Sequence, residues 1–307
     1  MHLDLAYFRQ RSEEMTMSQR QKDRILDSLI TIILFIIFIA MLYPFYYVLI
    51  LSFNKGTDSL TGAIYFWPSS FTFENYERFL SDPHWYKAFF VTVMRTLSGT
   101  LLGVLFTSIV AYGLSHQNLL FRKTYFTIII FAMYFSGGLI PYYVVLRSLG
   151  LLNSFGVYII PSMLSTFFLL IAITFFKDIP GELKESAHID GANEVVIFFK
   201  VILPVSMPLI ATMALFTGVG QWNSWLDSAY FVQSDNLRTL AYRMMEVINK
   251  SNAPMDSIAI ANSSSVGVTS YSLQLAAMVI SVAPIVCVYP FLQKYFVSGV
   301  MLGSVKG

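Results

Sequence analysis

Charge is what this 307-residue sequence has least of. Asp, Glu, Lys and Arg make up 12% of it against 56% hydrophobic residues, and the mean hydropathy is +0.62. That composition excludes an ordinary soluble domain. A net charge of +2 leaves no basic field for nucleic acid. The single cysteine, Cys287, excludes a disulfide within the chain, and its place in an apolar run reads as core packing. His2, His84, His116 and His188 all fall in polar segments; among the acids only Asp227 is set well inside an apolar run, and none sits at a span centre. Proton or sodium antiport needs a titratable group inside the membrane, so its residues are missing. No HExxH, GxSxG or GxxxxGK[ST] sequence occurs. Metalloprotease, serine hydrolase and ATPase chemistry therefore have no residues here, and no enzyme is expected.

What is present is a series of apolar runs at about 26–53, 88–114, 124–146, 155–176, 205–232 and 271–296. Each is long enough for the ~20 residues that a helix needs to cross a bilayer. The expected fold class is all-α integral membrane, with six transmembrane helices. Residues 1–24 read as a polar tail, and 25–307 as one membrane domain. The first run starts far from the N-terminus and lacks a small-residue cleavage site, so it reads as a retained span. Residues 233–270 form the largest polar insertion. Within it Leu237, Leu240, Met244, Val247 and Ile248 recur at helical spacing, and Asn262 to Gly267 is a flexible loop.

Orientation follows from Lys and Arg. With the N-terminus inside, the inner segments hold twelve of these residues and the outer segments seven. The excess of positive charge places both termini and residues 177–204 in the cytoplasm.

Residues 177–204 read as helix, tight turn, helix. Pro180 suits a first helical turn, where its missing N–H costs nothing, and Gly181 to Ala187 continue with good helix formers. Asp190-Gly191 is a turn signal, because Gly accepts the left-handed backbone that closes a helix. Asn193 can cap a second short helix carrying Val195, Val196, Phe198, Phe199 and Val201, which Pro204 ends. Its apolar face is too short to cross a bilayer. Such a hairpin lies on a membrane or fits a groove in another protein.

Glu185-Ser186-Ala187, three residues, Gly191, nine residues and then Val201-Ile202-Leu203-Pro204 resemble the EAA loop of ABC importer permeases, Glu-Ala-Ala…Gly…Ile-x-Leu-Pro. Ser186 replaces the second Ala and Val201 replaces Ile, both with little change in volume. Ala111 to Ser115 and Leu149 to Asn153 resemble segments of sugar-importing permeases. Phe135 to Pro141 and Tyr289 to Phe296, with Lys306-Gly307 last, resemble the YtcP- and LplC-like oligosaccharide and polysaccharide branch, a MalG-type second permease.

The resemblance covers about residues 26 to 307 and implies the type I ABC importer permease fold. It further implies a bacterial plasma-membrane complex with a second, related permease, two cytoplasmic ATPase subunits and an external sugar-binding protein. This chain would bind no cofactor, ATP and magnesium being held by the ATPases. The ATPase coupling residues it implies are Glu185, Ser186, Ala187, Asp190, Gly191, Leu203 and Pro204. A secondary carrier or channel for small polar solutes is the alternative class. It requires the hairpin to be incidental.

Candidates for a sugar path are Arg95, Tyr142, Gln221, Trp222, Asn223, Trp225 and Asp227. On one continuous helix Trp222 and Trp225 are neighbours at i, i+3, and Asn223 and Asp227 at i, i+4. Rings stack on the C–H faces of sugars while amides and carboxylates take hydroxyls. The same two Trp also fit an interfacial aromatic belt. Arg95 either snorkels to the headgroups or lines the path. By resemblance to maltose-type importers, Asn262, Ser263, Ser264, Ser265 and Gly267 are candidates to touch the binding protein; a cover over the outer gate fits that loop equally.

Overall fold

The structure is a computed structural model that describes residues 3–59, 64–251 and 269–304. The binding-protein candidates Asn262, Ser263, Ser264, Ser265 and Gly267 lie outside the described residues. Among the described residues the regular structure is helical, with one isolated antiparallel bridge between Asn54 and Phe71. Apart from a single helical turn at Gly56–Ser59, the helices in chain order are α1 (Leu3–Ser52), α2 (Glu74–Ser81), α3 (Pro83–Ser115), α4 (Arg122–Tyr134) and α5 (Leu139–Ser148). They continue with α6 (Thr166–Lys177), α7 (Gly181–Ile189), α8 (Glu194–Val205) and α9 (Met207–Asn223). The last three are α10 (Leu226–Phe231), α11 (Leu240–Ser251) and α12 (Ser270–Ser304).

Three stretches are single helices long and apolar enough to cross a membrane: Lys22–Ser52, Pro83–Ser115 and Tyr271–Val288. Three bent pairs pass the same test together. They are α4 with α5 at 117°, Phe155–Ser162 with α6 at 43°, and α8 with α9 at 82°. Each bend has a local cause. Between α4 and α5 the backbone opens at Phe135 and passes Gly138 at φ +83°, so the expected third span, 124–146, is broken. The expected fourth span begins as 3₁₀ turns around Pro161, because an imino nitrogen donates nothing to the turn before it.

The expected fifth span, 205–232, is also interrupted. Helix α9 stops at Asn223 and Ser224 is extended at ψ 123°, before α10 restarts at Leu226. Trp222 and Trp225, and Asn223 and Asp227, are therefore not neighbours on one helix, which corrects that expectation. Ser224 opens because its carbonyl and the Asp227 carboxylate both turn toward Arg95. Residues 3–24 continue the same helix as the first apolar run.

Helix α3 is the hub of the described fold, packing against α9 on one side and α6 on the other. Close approach to α9 is possible because α3 turns Gly99 and Gly103 toward it, Gly103 facing Thr217 and the Ser162 carbonyl. A Cβ at Gly99 would sit 2.9 Å from Cδ of Gln221. At one end of α3, Val104, Ala111 and Tyr112 join α6 and the hairpin in a core with Leu169, Ile173, Ile197 and Ile202. At its other end Trp85 packs with Phe79, Leu240 and Ala277, so α11 lies folded down on α2, α3 and α12. Leu240, Met244 and Val247 supply that contact, in keeping with the helical periodicity of the sequence.

The apolar side chains of α1 from Ile25 to Phe45 are exposed, outside the packed bundle. Cys287, expected in the core, is also exposed on α12. Both results have one physical reason: in an apolar solvent, facing outward costs a hydrophobic side chain nothing.

Candidate functional site

Helix α7 ends in the closure that Asp190-Gly191 foretells. Gly191 has φ +81°, its N–H donates to the His188 carbonyl at 3.0 Å, and Ala192 N–H donates to the Ala187 carbonyl at 3.0 Å. These two bonds satisfy carbonyls that the helix end leaves free. Asn193 then caps α8, its side-chain oxygen accepting from Val196 N–H at 2.9 Å. Pro180 stands at the cap position before Gly181. Pro204 does not end α8. The helix widens to a π turn over Phe198–Ile202, runs through Val205 and bends at Ser206. A π turn there absorbs the hydrogen bond that proline cannot make.

The hairpin has two faces. Ile197, Phe198 and Ile202 are buried in the core shared with α3 and α6, where Ala187 and Leu203 pack half-buried. Glu185, Ser186, Asp190, Gly191 and Pro204 are exposed. So are Leu183, Val195, Phe199 and above all Ile189, at 87%. The sequence groups Val195, Phe198 and Phe199 as one apolar face; the structure turns Phe198 inward and the other two outward. Ile189 and Val195 thus flank the Gly191 turn as exposed apolar side chains, with Phe199 one turn further along α8 and Glu185 and Asp190 exposed on the α7 side.

Beneath the hairpin lies a polar cluster that no spacing in the sequence joins. Tyr112 Oη of α3 donates to Glu194 Oε2 of α8 at 2.6 Å, across 82 residues. His188 Nε2 is 3.3 Å from Glu194 Oε1, and His116 Nε2 is 3.6 Å from Oε2. Lys184 Nζ stands 5.4 Å from the Tyr112 ring centroid. The Tyr112 hydroxyl holds the Glu194 carboxyl below its ordinary 4.5; partial burial opposes this, and the two imidazoles assist.

At the other end of α3, Arg95 is 2% exposed. Its Nε donates to Gln221 Oε1 at 2.8 Å, its Nη1 to the Ser224 carbonyl at 3.1 Å, and its Nη2 to Asp227. The guanidinium carbon lies 4.5 Å from the Tyr158 ring centroid. The Arg95 side chain is thus turned into the bundle, toward α9 and α10, rather than outward toward headgroups. A charge in the membrane that cannot reach water is stabilised by an opposite charge and full hydrogen bonding.

Gln221 passes the network on, donating to Ser162 Oγ at 2.7 Å. Arg95 and Asp227 are the charges set within the apolar runs 88–114 and 205–232. Read together they were the available signal for this pair.

The remaining path candidates separate. Trp222 is buried, its Nε1 donating to the Ser281 carbonyl at 3.0 Å and its ring edge-to-face with Phe89. Asn223 is exposed and Trp225 half-buried. These three share a cavity of about 190 Å³ beside α11, lined also by Met244 and Met245. Tyr142 lies apart from that cavity on α5, edge-to-face with Phe231 at 5.4 Å. The structure thus brings Arg95, Gln221 and Asp227 into one cluster and Trp222, Asn223 and Trp225 into another.

Helices of this length and apolarity, packed with a polar hairpin between α6 and α9, define a membrane protein. No protein-family model matches the chain. Comparison with curated proteins finds the polygalacturonan/rhamnogalacturonan transport system permease YtcP of Bacillus subtilis, 34% identical over 286 residues, covering 93% of this chain and 100% of that one. Protein LplC of the same organism is 35% identical over 268 residues, covering 86% and 89%. Among solved structures, a chain of a bacterial ABC transporter involved in the import of the acidic polysaccharide alginate matches with a TM-score of 0.82 and 26% identity, covering 90% of this chain and 98% of that one. The chain belongs to the permease subunits of carbohydrate ABC importers. Permeases of this family are transport proteins and not themselves enzymes.

Proposed function

We propose that this chain is one of two related permease subunits that carry an oligosaccharide, delivered by an external binding protein, across the bacterial plasma membrane. Six spans cross the bilayer, both termini lie in the cytoplasm, and the hairpin of α7 and α8 docks on one of two cytoplasmic ATPases that hold ATP and magnesium. The observation that carries this reading is the exposed apolar patch of Ile189, Val195 and Phe199 beside the Gly191 turn. A helix hairpin with one face in its own core and the other presented to solvent is built to enter a groove. Glu185 and Asp190 supply the polar rim, Gly191 the projecting turn, Ala187 and Leu203 the seat beneath it, and Pro204 an exposed position after them.

The named relatives and the alginate transporter support a substrate of the oligosaccharide or polysaccharide class. A second alginate transporter structure, with pentasaccharide-bound periplasmic protein, shares the fold at a TM-score of 0.56 and 14% identity. The secondary-carrier alternative has less support. Its coupling ion would need a free carboxylate within the apolar runs, and Asp227 is already paired with Arg95.

The test is co-purification from native membranes with a tag on this chain. A second permease and an ATPase in a ratio of about 1:1:2, with the ATPase shed by Ile189→Asp or Gly191→Asp, is the expected result. The chain arriving without an ATPase would overturn the reading.

A further inference from the structure

The hairpin is joined covalently to α6 and α9, but α3 follows its movements through non-covalent contacts alone. Most of those contacts are apolar: Ala111 and Tyr112 of α3 share a core with Ile197, Phe198 and Ile202 of α8. Apolar contacts are non-directional and let helices slide. A hydrogen bond to a carboxylate is directional and stronger. Tyr112 Oη to Glu194 Oε2, at 2.6 Å, is such a bond, and aromatic rings pack about its donor. The Tyr112 ring is edge-to-face with Phe176 and His116 and tilted on Phe198 at 5.3 Å. Its hydroxyl therefore points in one direction.

Glu194 is held in turn by both helices of the hairpin, since it opens α8 while His188, 3.3 Å away, belongs to the last turn of α7. His116, just past the end of α3, gives a further link. Its Nδ1 lies 3.0 Å from the Tyr112 carbonyl and its Nε2 faces Glu194 at 3.6 Å. One carboxylate thus touches α3, the residue capping α3, and both arms of the hairpin.

We propose that Glu194 is a positioning residue that ties the hairpin to the C-terminal end of α3 through Tyr112, so that hairpin displacement is carried into α3. This rests on the docking role proposed for the hairpin. Because α3 holds Arg95 and the buried pair near its other end, displacement entering at Tyr112 reaches both ends of the bundle along one rigid helix.

The experiment uses the complete complex, purified with its native partners and reconstituted in vesicles, with sugar uptake and ATP hydrolysis measured on the same preparation. Tyr112→Phe removes one hydroxyl and no volume from the core; Glu194→Gln removes the charge. Both are expected to keep ATPase co-purification and unstimulated hydrolysis while uptake per ATP falls about tenfold, the loss of one charge-assisted hydrogen bond. The double variant should be no worse than the poorer single one, since both break one link.

Wild-type uptake per ATP in Tyr112→Phe overturns the proposal. So does loss of the ATPase from that variant, which would make the bond a matter of assembly only. If Glu194→Gln fails to accumulate, Tyr112→Phe decides alone. Ile189→Asp, run alongside, keeps the two readings apart. An ATPase that stays bound to Ile189→Asp removes the docking role; an ATPase shed by Ile189→Asp, with Tyr112→Phe and Glu194→Gln fully coupled, removes the tie alone.

Discussion

Arg95 and Asp227, 132 residues apart, form a charge pair inside the helical bundle, where α3 passes the break between α9 and α10. The pair sets the local backbone as well as the local charge. Ser224 leaves helical geometry with its carbonyl accepting from the same guanidinium, so the interruption of the fifth apolar run and the burial of Arg95 are one event.

Breaking this pair from one side leaves a buried cation unopposed. Asp227→Ala should destabilise the purified protein by roughly 3–5 kcal/mol. The double replacement Arg95→Met/Asp227→Leu should recover most of that loss. Arg95→Lys keeps the charge but lacks the planar fork that reaches Gln221, Ser224 and Asp227 together, and should fall between. Thermal unfolding in detergent orders the variants; equal melting of Asp227→Ala and wild type would remove the pair as a structural element.

Gly99 is where α3 approaches this network most closely. Its replacement by Ala would bring a methyl to 2.9 Å from Cδ of Gln221, a side chain held from both ends by Arg95 and Ser162. The expected cost is about 1–3 kcal/mol of overpacking. Gly113→Ala, with nothing within 4 Å, is the matched control and should leave the melting temperature unchanged or slightly raised.

Gly191 makes the opposite case. A side chain there meets nothing within 4 Å, so the fold itself resists substitution only through the left-handed backbone, at roughly 1–2 kcal/mol. Gly191→Asp and Gly191→Ala should therefore insert and fold, while the acidic variant loses the ATPase in co-purification and the alanine variant keeps most of it. Equal retention by both would show that the open space above the turn meets no partner.

On the face bearing α11, Asp235 joins His84 Nε2 at 3.2 Å and Arg243 Nη2 at 2.6 Å. The Arg243 guanidinium holds its carboxyl below the ordinary 3.8, with His84 and Arg238 assisting against slight burial. A depressed carboxylate stabilises the folded state fully above its ordinary value, and that contribution is lost as pH falls through the depressed one. Melting of the wild type should accordingly drop more steeply below about pH 4 than that of Asp235→Asn. Parallel curves for the two would show that the ion pair adds nothing to the folded state.

The hairpin was legible because its signals are local. Asp190-Gly191, the Asn193 cap and the apolar residues of α8 each act within a few residues of backbone, so the order of types along the chain suffices to place them. The apolar runs were legible for a similar reason: a bilayer selects on length and composition alone. The breaks inside those runs were less so. Gly138 and Pro161 announce a bend without its size, whereas Ser224 announces nothing, because its conformation answers to Arg95 on another helix.

By itself, then, the sequence determined a helical membrane protein with a polar hairpin and few charges in its apolar runs, all consequences of local propensity and of transfer from water to lipid. Tertiary structure decided which residues of one apolar stretch face inward, turning Phe198 to the core and Phe199 to the surface. It decided that Arg95 is met by Asp227 from another helix, and that Glu194 meets Tyr112 across 82 residues. Such pairings depend on where helices cross. Crossing is set by the close approach that Gly99 and Gly103 allow, a distance between chain segments that no order of residues along one segment contains.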